Sequence, residues 1–146
     1  MRIIFSSDDY GNLVPAIREA VQKAGHECLY IGPGPGEEKD WPDVTSEAAA
    51  RVASGEFHEG IVMCWTGTGA TIAANKVQGI RAALCADAET ARGARIWNHA
   101  NVLALSMRKT SEPLAAEILE TWFATPFSED DWNKRQIESI HRLDAR

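Results

Sequence analysis

Cysteine is scarce in this chain: Cys28, Cys64 and Cys85 form an odd set with no CxxC pair. That excludes a disulfide scaffold and fits thiols kept reduced in a cytosol. Histidine is equally thin and scattered, at His26, His58, His99 and His141, and no two have zinc-ligand spacing, so no metal site is expected. Long apolar runs are missing too. No stretch reaches the roughly 18 residues of a membrane span, and the opening MRIIF turns polar too soon for a signal peptide, so a cytoplasmic protein without a membrane partner is expected. Cations are outnumbered, 15 Lys and Arg against 21 Asp and Glu, for a formal net charge of −6. Nucleic acid and anionic membrane surfaces repel such a chain, so any anion site must be local.

What is present suffices for one core: 146 residues, 45% hydrophobic and 25% charged, predict a single domain over 1–146. Short apolar or β-branched runs at Ile3–Phe5, Cys28–Ile31, Gly60–Cys64, Arg81–Cys85 and Asn101–Leu105 predict five strands. Helical patterns alternate with them at Pro15–Ala24, Val44–Ser54, Thr71–Val77, Ala88–Trp97 and Glu112–Phe123. This βα alternation calls for an α/β fold, a Rossmann-like three-layer sandwich with a five-stranded parallel sheet. Its ligands belong at the carboxyl ends of the strands, after Phe5, Cys64 and Leu105. The Gly32-Pro33-Gly34-Pro35-Gly36 stretch is a turn-rich connection. Within Ser128–Arg146 a C-terminal helix over about 129–143 spaces Trp132, Ile137, Ile140 and Leu143 along one face, a surface suited to a partner subunit.

The chemistry concentrates in Cys64-Trp65-Thr66-Gly67-Thr68-Gly69, which runs from strand through turn to helix. Two glycines permit a tight turn, and the following helix start leaves amide N–H groups facing outward to hold an oxyanion or phosphate. A thiol at the rim of that nest is placed to act as base or nucleophile, whereas Cys28 and Cys85, inside apolar runs, read as core. The spacing matches neither a P-loop nor a GxGxxG turn. Asp8 and Asp9, directly after the first strand, form a second candidate: either could hold sugar hydroxyls, and one could instead cap the following helix. The third is Arg95-Ile96-Trp97-Asn98-His99-Ala100-Asn101, just before the fifth strand.

The ordered set Cys64-Trp65-Thr66-Gly67-Thr68-Gly69, Ile72-Ala73-Ala74-Asn75-Lys76 and Gly79-Ile80-Arg81-Ala82 resembles the type B ribose-5-phosphate isomerase and galactose-6-phosphate isomerase family. Ser7-Asp8, Asp40-Trp41-Pro42-Asp43 and Asn98-His99-Ala100-Asn101 extend the likeness over nearly the whole chain. The resemblance implies a cofactor-independent aldose–ketose isomerase working through a cis-enediol, in a homodimer or higher homo-oligomer with active sites between subunits. Carried over by position, Cys64 shuttles the proton, Thr66 and the amides of Gly67, Thr68 and Gly69 stabilise the enediolate, and Asp8 and Asn98 hold sugar oxygens.

Departures from the family pattern bear on substrate. Asp9 stands where the family has a phosphate-binding histidine, and a carboxylate against phosphate costs about 1–4 kcal/mol. Trp97 stands where the ring-opening histidine belongs, with His99 two places on, and Trp65 replaces a glycine beside the base. Of the cationic phosphate ligands Arg108 matches; the C-terminal pair falls on Trp132 and Gln136, with Arg135, His141 and Arg142 nearby. The expected ligand is therefore a small sugar or sugar phosphate other than ribose 5-phosphate, such as an open-chain tetrose or tetrulose phosphate. The alternative is a non-catalytic sugar-binding protein or an inactive partner subunit of a hetero-oligomeric isomerase.

Overall fold

The computed structural model describes residues 1–145; Arg146, the last residue of the expected domain and of the expected C-terminal segment, lies outside the described residues. The elements run β1 (Arg2–Ser7), α1 (Leu13–Lys23), β2 (Glu27–Ile31), α2 (Trp41–Ala53), β3 (Glu59–Cys64), α3 (Thr68–Asn75), β4 (Ala82–Leu84), α4 (Ala88–Asn98), β5 (Val102–Ser106), α5 (Glu112–Ala124) and α6 (Asp131–Leu143). The five strands form one sheet in the order β2-β1-β3-β5-β4, every pair parallel. This is the α/β sandwich that the alternating pattern implies.

Burial explains which strands were legible. β3 and β5 are buried along their whole length and β1 in all but its first residue, so each carries apolar residues on both faces. One face packs Phe5, Met63 and Leu105 under α1, α4 and α5, with Trp122 fully buried among them. The other packs Ile4, Val62 and Cys64 under α2 and α3, whose alanines Ala48, Ala49, Ala70 and Ala74 let the helices approach closely. Because side chains alternate along a strand, Cys64 faces the α3 layer while Met63 faces the opposite one.

The starts of α1, α2, α3 and α6 differ from the sequence reading, while α4 and α5 begin at Ala88 and Glu112 as expected. α1 begins at Leu13, two residues before Pro15, and its cap is Asn12; neither Asp8 nor Asp9 caps it. α3 begins at Thr68, three residues before Thr71, because Gly67 adopts φ +78° and turns the chain directly into the helix. α2 begins at Trp41 with Pro42 in its first turn, where proline loses no hydrogen bond. β4 is shorter than Arg81–Cys85, since the Arg81 amide donates to Asn101 Oδ1 at 2.8 Å. α6 starts at Asp131, capped by Asp130, whose carboxylate accepts from the Asn133 amide at 2.9 Å. Of its expected apolar face Ile137 is buried, while Trp132, Ile140 and Leu143 are exposed.

Candidate active site

From β1 the chain crosses outward to β2, then returns to β3 on the other side of β1, so the direction of winding reverses between β1 and β3. In an open parallel sheet the crevice at the carboxyl ends of such a strand pair is where ligands bind. Ser7 pairs with Met63 and Cys64 with Ser106, so Asp8 leaves the sheet beside Cys64, with Ser106 on its other side. The sheet register thus gathers three residues that lie far apart in sequence.

Cys64 is 6% exposed, and its Sγ accepts the Ala70 amide at 3.4 Å. That contact requires the left-handed turn at Gly67: a Cβ there would lie 2.6 Å from Leu84 Cδ1 and 2.9 Å from the Leu105 carbonyl carbon. Thr66 and Thr68 face each other, hydroxyl to hydroxyl, at 2.8 Å, and the Thr71 hydroxyl donates to the Gly67 carbonyl at 2.7 Å. The amides at the start of α3 have no intrahelical acceptor by helix geometry, which makes this turn a cradle for an oxyanion beside the sulfur. The Trp41 ring lies over Gly69, 3.2 Å from where a Cβ would stand. Trp65 is 66% exposed, while its carbonyl accepts from the Ser106 hydroxyl and the Arg108 amide, each at 3.0 Å.

The Asp8–Asp9 turn is braced from below. The buried Ser7 hydroxyl donates to the Asp9 carbonyl at 2.6 Å and meets the Tyr30 hydroxyl at 3.0 Å; Tyr30 also reaches the Pro33 carbonyl at 3.1 Å. Burial pushes the Asp8 carboxyl above its ordinary range, and the nearby charges of Asp9 and Glu38 add to the rise against opposing backbone hydrogen bonds. Two clefts flank the Cys64 turn. One of about 500 Å³ is lined by Asp9, Asn12, Trp65, Thr110, Ser111 and Glu112, among others. The other, of about 320 Å³, includes Thr66, Ser106, Arg108, Lys109 and Thr110.

Trp97, Asn98, His99 and Arg135 are not at this edge. α4 leaves the carboxyl end of β4 and returns to the amino end of β5, so its last turn lies at the opposite edge of the sheet. There Trp97 and Asn98 line a groove of about 550 Å³ with Trp132 and Gln136, next to the first residues of β4. His99 is committed to structure: it ends α4 at φ +47°, its Nε2 lies 3.0 Å from the Ser128 carbonyl, and its ring stacks on Phe127 at 4.6 Å. Arg135 is exposed on α6. Cys85 takes the core role expected of it, while Cys28 is only partly buried and packs against the same core; burial raises both thiols, Cys85 to about 12. Ser106, Tyr30 and Lys109 went unnoticed in the sequence; a serine ending an apolar strand is a weak signal until the β3–β5 register sets it beside Cys64. Among the described residues no group of three or more metal-ligating side chains occurs.

Known proteins share this fold. Residues 3–140 match the Ribose/Galactose Isomerase family. Ribose-5-phosphate isomerase B of Escherichia coli is 34% identical over 99% of this chain and 97% of its own. A D-erythrulose-4-phosphate isomerase of Pectobacterium atrosepticum is 44% identical over 72% of this chain and 68% of its own. The solved structure of Clostridium thermocellum ribose-5-phosphate isomerase B superposes with a TM-score of 0.93 at 39% identity, covering 99% of this chain and 98% of the other. With the match running nearly end to end, the chain belongs to the Ribose/Galactose Isomerase family and is an isomerase that interconverts aldoses and ketoses.

Proposed function

We propose that this isomerase acts on an open-chain four-carbon sugar bearing an anionic group at C4, without a cofactor, in the cytoplasm and as a homodimer or higher homo-oligomer. The observation that carries the reading is the buried Cys64 sulfur facing the Ala70 amide at 3.4 Å, beside a left-handed glycine turn with outward amides. Cys64 takes a proton from C1 of the ketose, and the C2 carbonyl oxygen becomes the enediolate oxygen. Thr66, Thr68 and the amides of residues 67–69 donate to that oxygen, stabilising charge that exists only along the reaction path. Return of the proton from sulfur to C2, with the hydroxyl proton moving from O1 to O2, gives the aldose. Asp8 holds a substrate hydroxyl beside the sulfur.

Chain length follows from ring chemistry. A four-carbon sugar whose O4 carries the anion has no hydroxyl left to close a furanose ring, so it needs no ring-opening acid. Trp97 supplies none, and His99 is engaged with Ser128 and Phe127. The identity of 44% with an enzyme named for D-erythrulose 4-phosphate supports the same choice. The exposed Trp97 and Trp132, at 58% and 59%, suit contact with a second copy, which would bring Asn98 to the first copy's Cys64. Incubation in deuterium oxide with phosphorylated and free tetroses, pentoses and hexoses, read by NMR, tests the proposal. Deuterium at C1 or C2 of a four-carbon 4-phosphate is expected; exchange with ribose 5-phosphate in preference would overturn the assigned chain length.

A further inference from the structure

One hydrogen-bond donor, the Ala70 amide at 3.4 Å, faces the buried Cys64 sulfur. A thiolate taken out of water needs more donors than that to stay ionised. Two hydroxyls on the same side of the sheet are in the converse position. Among the described residues neither Ser6 Oγ nor Thr45 Oγ1 has a hydrogen-bond partner, and both residues are 0% exposed. Ser7, the next residue along β1, shows the usual state of a buried hydroxyl, with Asp9 O at 2.6 Å and the Tyr30 hydroxyl at 3.0 Å. Folded chains rarely bury a hydroxyl unpaired, and where no protein group serves, an ordered water does.

The register brings the two hydroxyls toward the sulfur. Side chains alternate along β1, so Ser6 shares the face of Ile4, which packs with Val62 and Cys64 under α2 and α3. Ser6 pairs with Val62, and Cys64 stands two residues further along β3. That diagonal sets the two Cα atoms about 8 Å apart, too far for a direct bond and suited to one bridging water. Thr45 reaches the same layer from the other side, on the buried face of α2, which packs on both β1 and β3. It follows Trp41 by about one turn, and the Trp41 ring covers Gly69, so Thr45 lies toward the same end of the sheet as Cys64. The helix residues around it, Ala48, Ala49, Ala70 and Ala74, are small and crowd the layer least.

We infer that Ser6 and Thr45 hold an ordered water beneath Cys64, and that this water is the second hydrogen-bond donor to the sulfur. Each hydroxyl donates to the water oxygen and one water hydrogen points at Sγ, which gives the water about the three partners typical of a buried one. Ser6 and Thr45 are positioning residues that act through the water and do not touch the substrate. The inference rests on the reading of Cys64 as the base and adds the groups that keep its sulfur ionised. On this face α2, α3 and β5 bury no ionisable side chain. Asp8, leaving β1 beside Cys64, is the ionisable neighbour, and every variant below retains it.

The test follows alkylation of Cys64 by iodoacetamide against pH in the full chain, read peptide by peptide so that Cys28 and Cys85 are counted apart. In Ser6→Ala and in Thr45→Val the midpoint of the Cys64 titration should rise by about one pH unit, the effect of losing one hydrogen bond to a charged group. Thr45→Ser keeps the hydroxyl and should hold the wild-type midpoint. The double variant, Ser6→Ala with Thr45→Val, should move it no further than either change alone, because both hydroxyls serve one water. Val52→Ala loosens α2 in the same layer without removing a hydroxyl; it should lower the melting temperature and leave the midpoint in place. A midpoint unmoved in either hydroxyl variant, shifts that add in the double variant, or an equal shift in Val52→Ala overturns the water site alone. Full activity in Cys64→Ala overturns the base reading beneath it, whatever the alkylation shows.

Discussion

Two turns of the molecule share a left-handed residue and differ in what they leave free. Gly67, at φ +78°, leads the chain from β3 into α3; His99, at φ +47°, leads it from α4 toward β5. At Gly67 the sulfur accepts one amide, and the other amides of the helix start have no intrahelical acceptor. At His99 the polar groups are tied down: the ring to Ser128 O at 3.0 Å, the carbonyl to Arg81 Nε at 2.8 Å, and the next carbonyl, of Ala100, to Arg95 at 2.7 Å. A helix end with donors to spare can stabilise a developing charge; one whose groups are satisfied can only hold shape. Side-chain chemistry alone would have favoured the histidine. The hydrogen-bond inventory favours the cysteine.

Removing the proposed base should produce the largest effect. Cys64→Ala is expected to lose about 10²- to 10⁴-fold in kcat while keeping its melting temperature within a few degrees, as steady-state kinetics and thermal unfolding would show. If the second copy supplies Asn98, Asn98→Ala is also inactive, yet unfolding and refolding the two variants together should return about a quarter of wild-type activity through heterodimers with one intact site of two. No recovery would mean that both edges must act within one chain, against the topology described.

The opposite edge should answer in stability instead. Arg95 pairs with Glu59 at 2.7 Å, both nearly buried, and the Trp122 indole donates to the same carboxylate at 2.6 Å. Arg95→Met leaves Glu59 charged and without its cation, at a cost of about 3–5 kcal/mol by denaturant titration. A pair with this geometry anchors the start of β3 to α4 and α5, so the Trp97–His99 turn should loosen in hydrogen exchange before the Cys64 turn does.

The sequence disclosed these features unevenly. β1, β3 and β5 were legible because burial on both faces turns a strand into an unbroken apolar run. The helix starts at Ala88 and Glu112 were legible too, behind the capping side chains of Asp87 and Ser111, whereas the start of α3 was not, since the left-handed conformation of Gly67 sets it rather than any periodicity. The Cys64 turn stood out as a candidate site because the proposed base and its donors are neighbours in sequence. Ser106 and Lys109 join it only through the β3–β5 register, and no local pattern reveals a register. Trp97, Asn98 and His99 were grouped with Cys64 by resemblance, and topology then put them at the other edge.

Smaller effects sharpen the contrast within the active edge. Gly67→Ala forces a Cβ against Leu84 and the Leu105 carbonyl in a left-handed conformation, strain worth about 1–3 kcal/mol that also displaces the Ala70 amide from Cys64. It should therefore lower both the melting temperature and kcat, unlike Cys64→Ala. Asp8→Asn should separate the two with opposite signs. The folded-state carboxyl is raised above its ordinary value of 3.8, by burial first and then by Asp9 and Glu38. The folded chain thus holds that proton more tightly than the unfolded one. The resulting stabilisation is present below the ordinary value and is lost as pH rises through the raised one, leaving a half-buried charge that disfavours folding at neutral pH. Removing the charge should raise the melting temperature slightly at pH 7, with the gain vanishing below about pH 4, while activity falls as the substrate loses its acceptor. A residue kept in place at a cost to stability is one that the reaction requires, and a lower melting temperature for Asp8→Asn at pH 7 would remove Asp8 from that class.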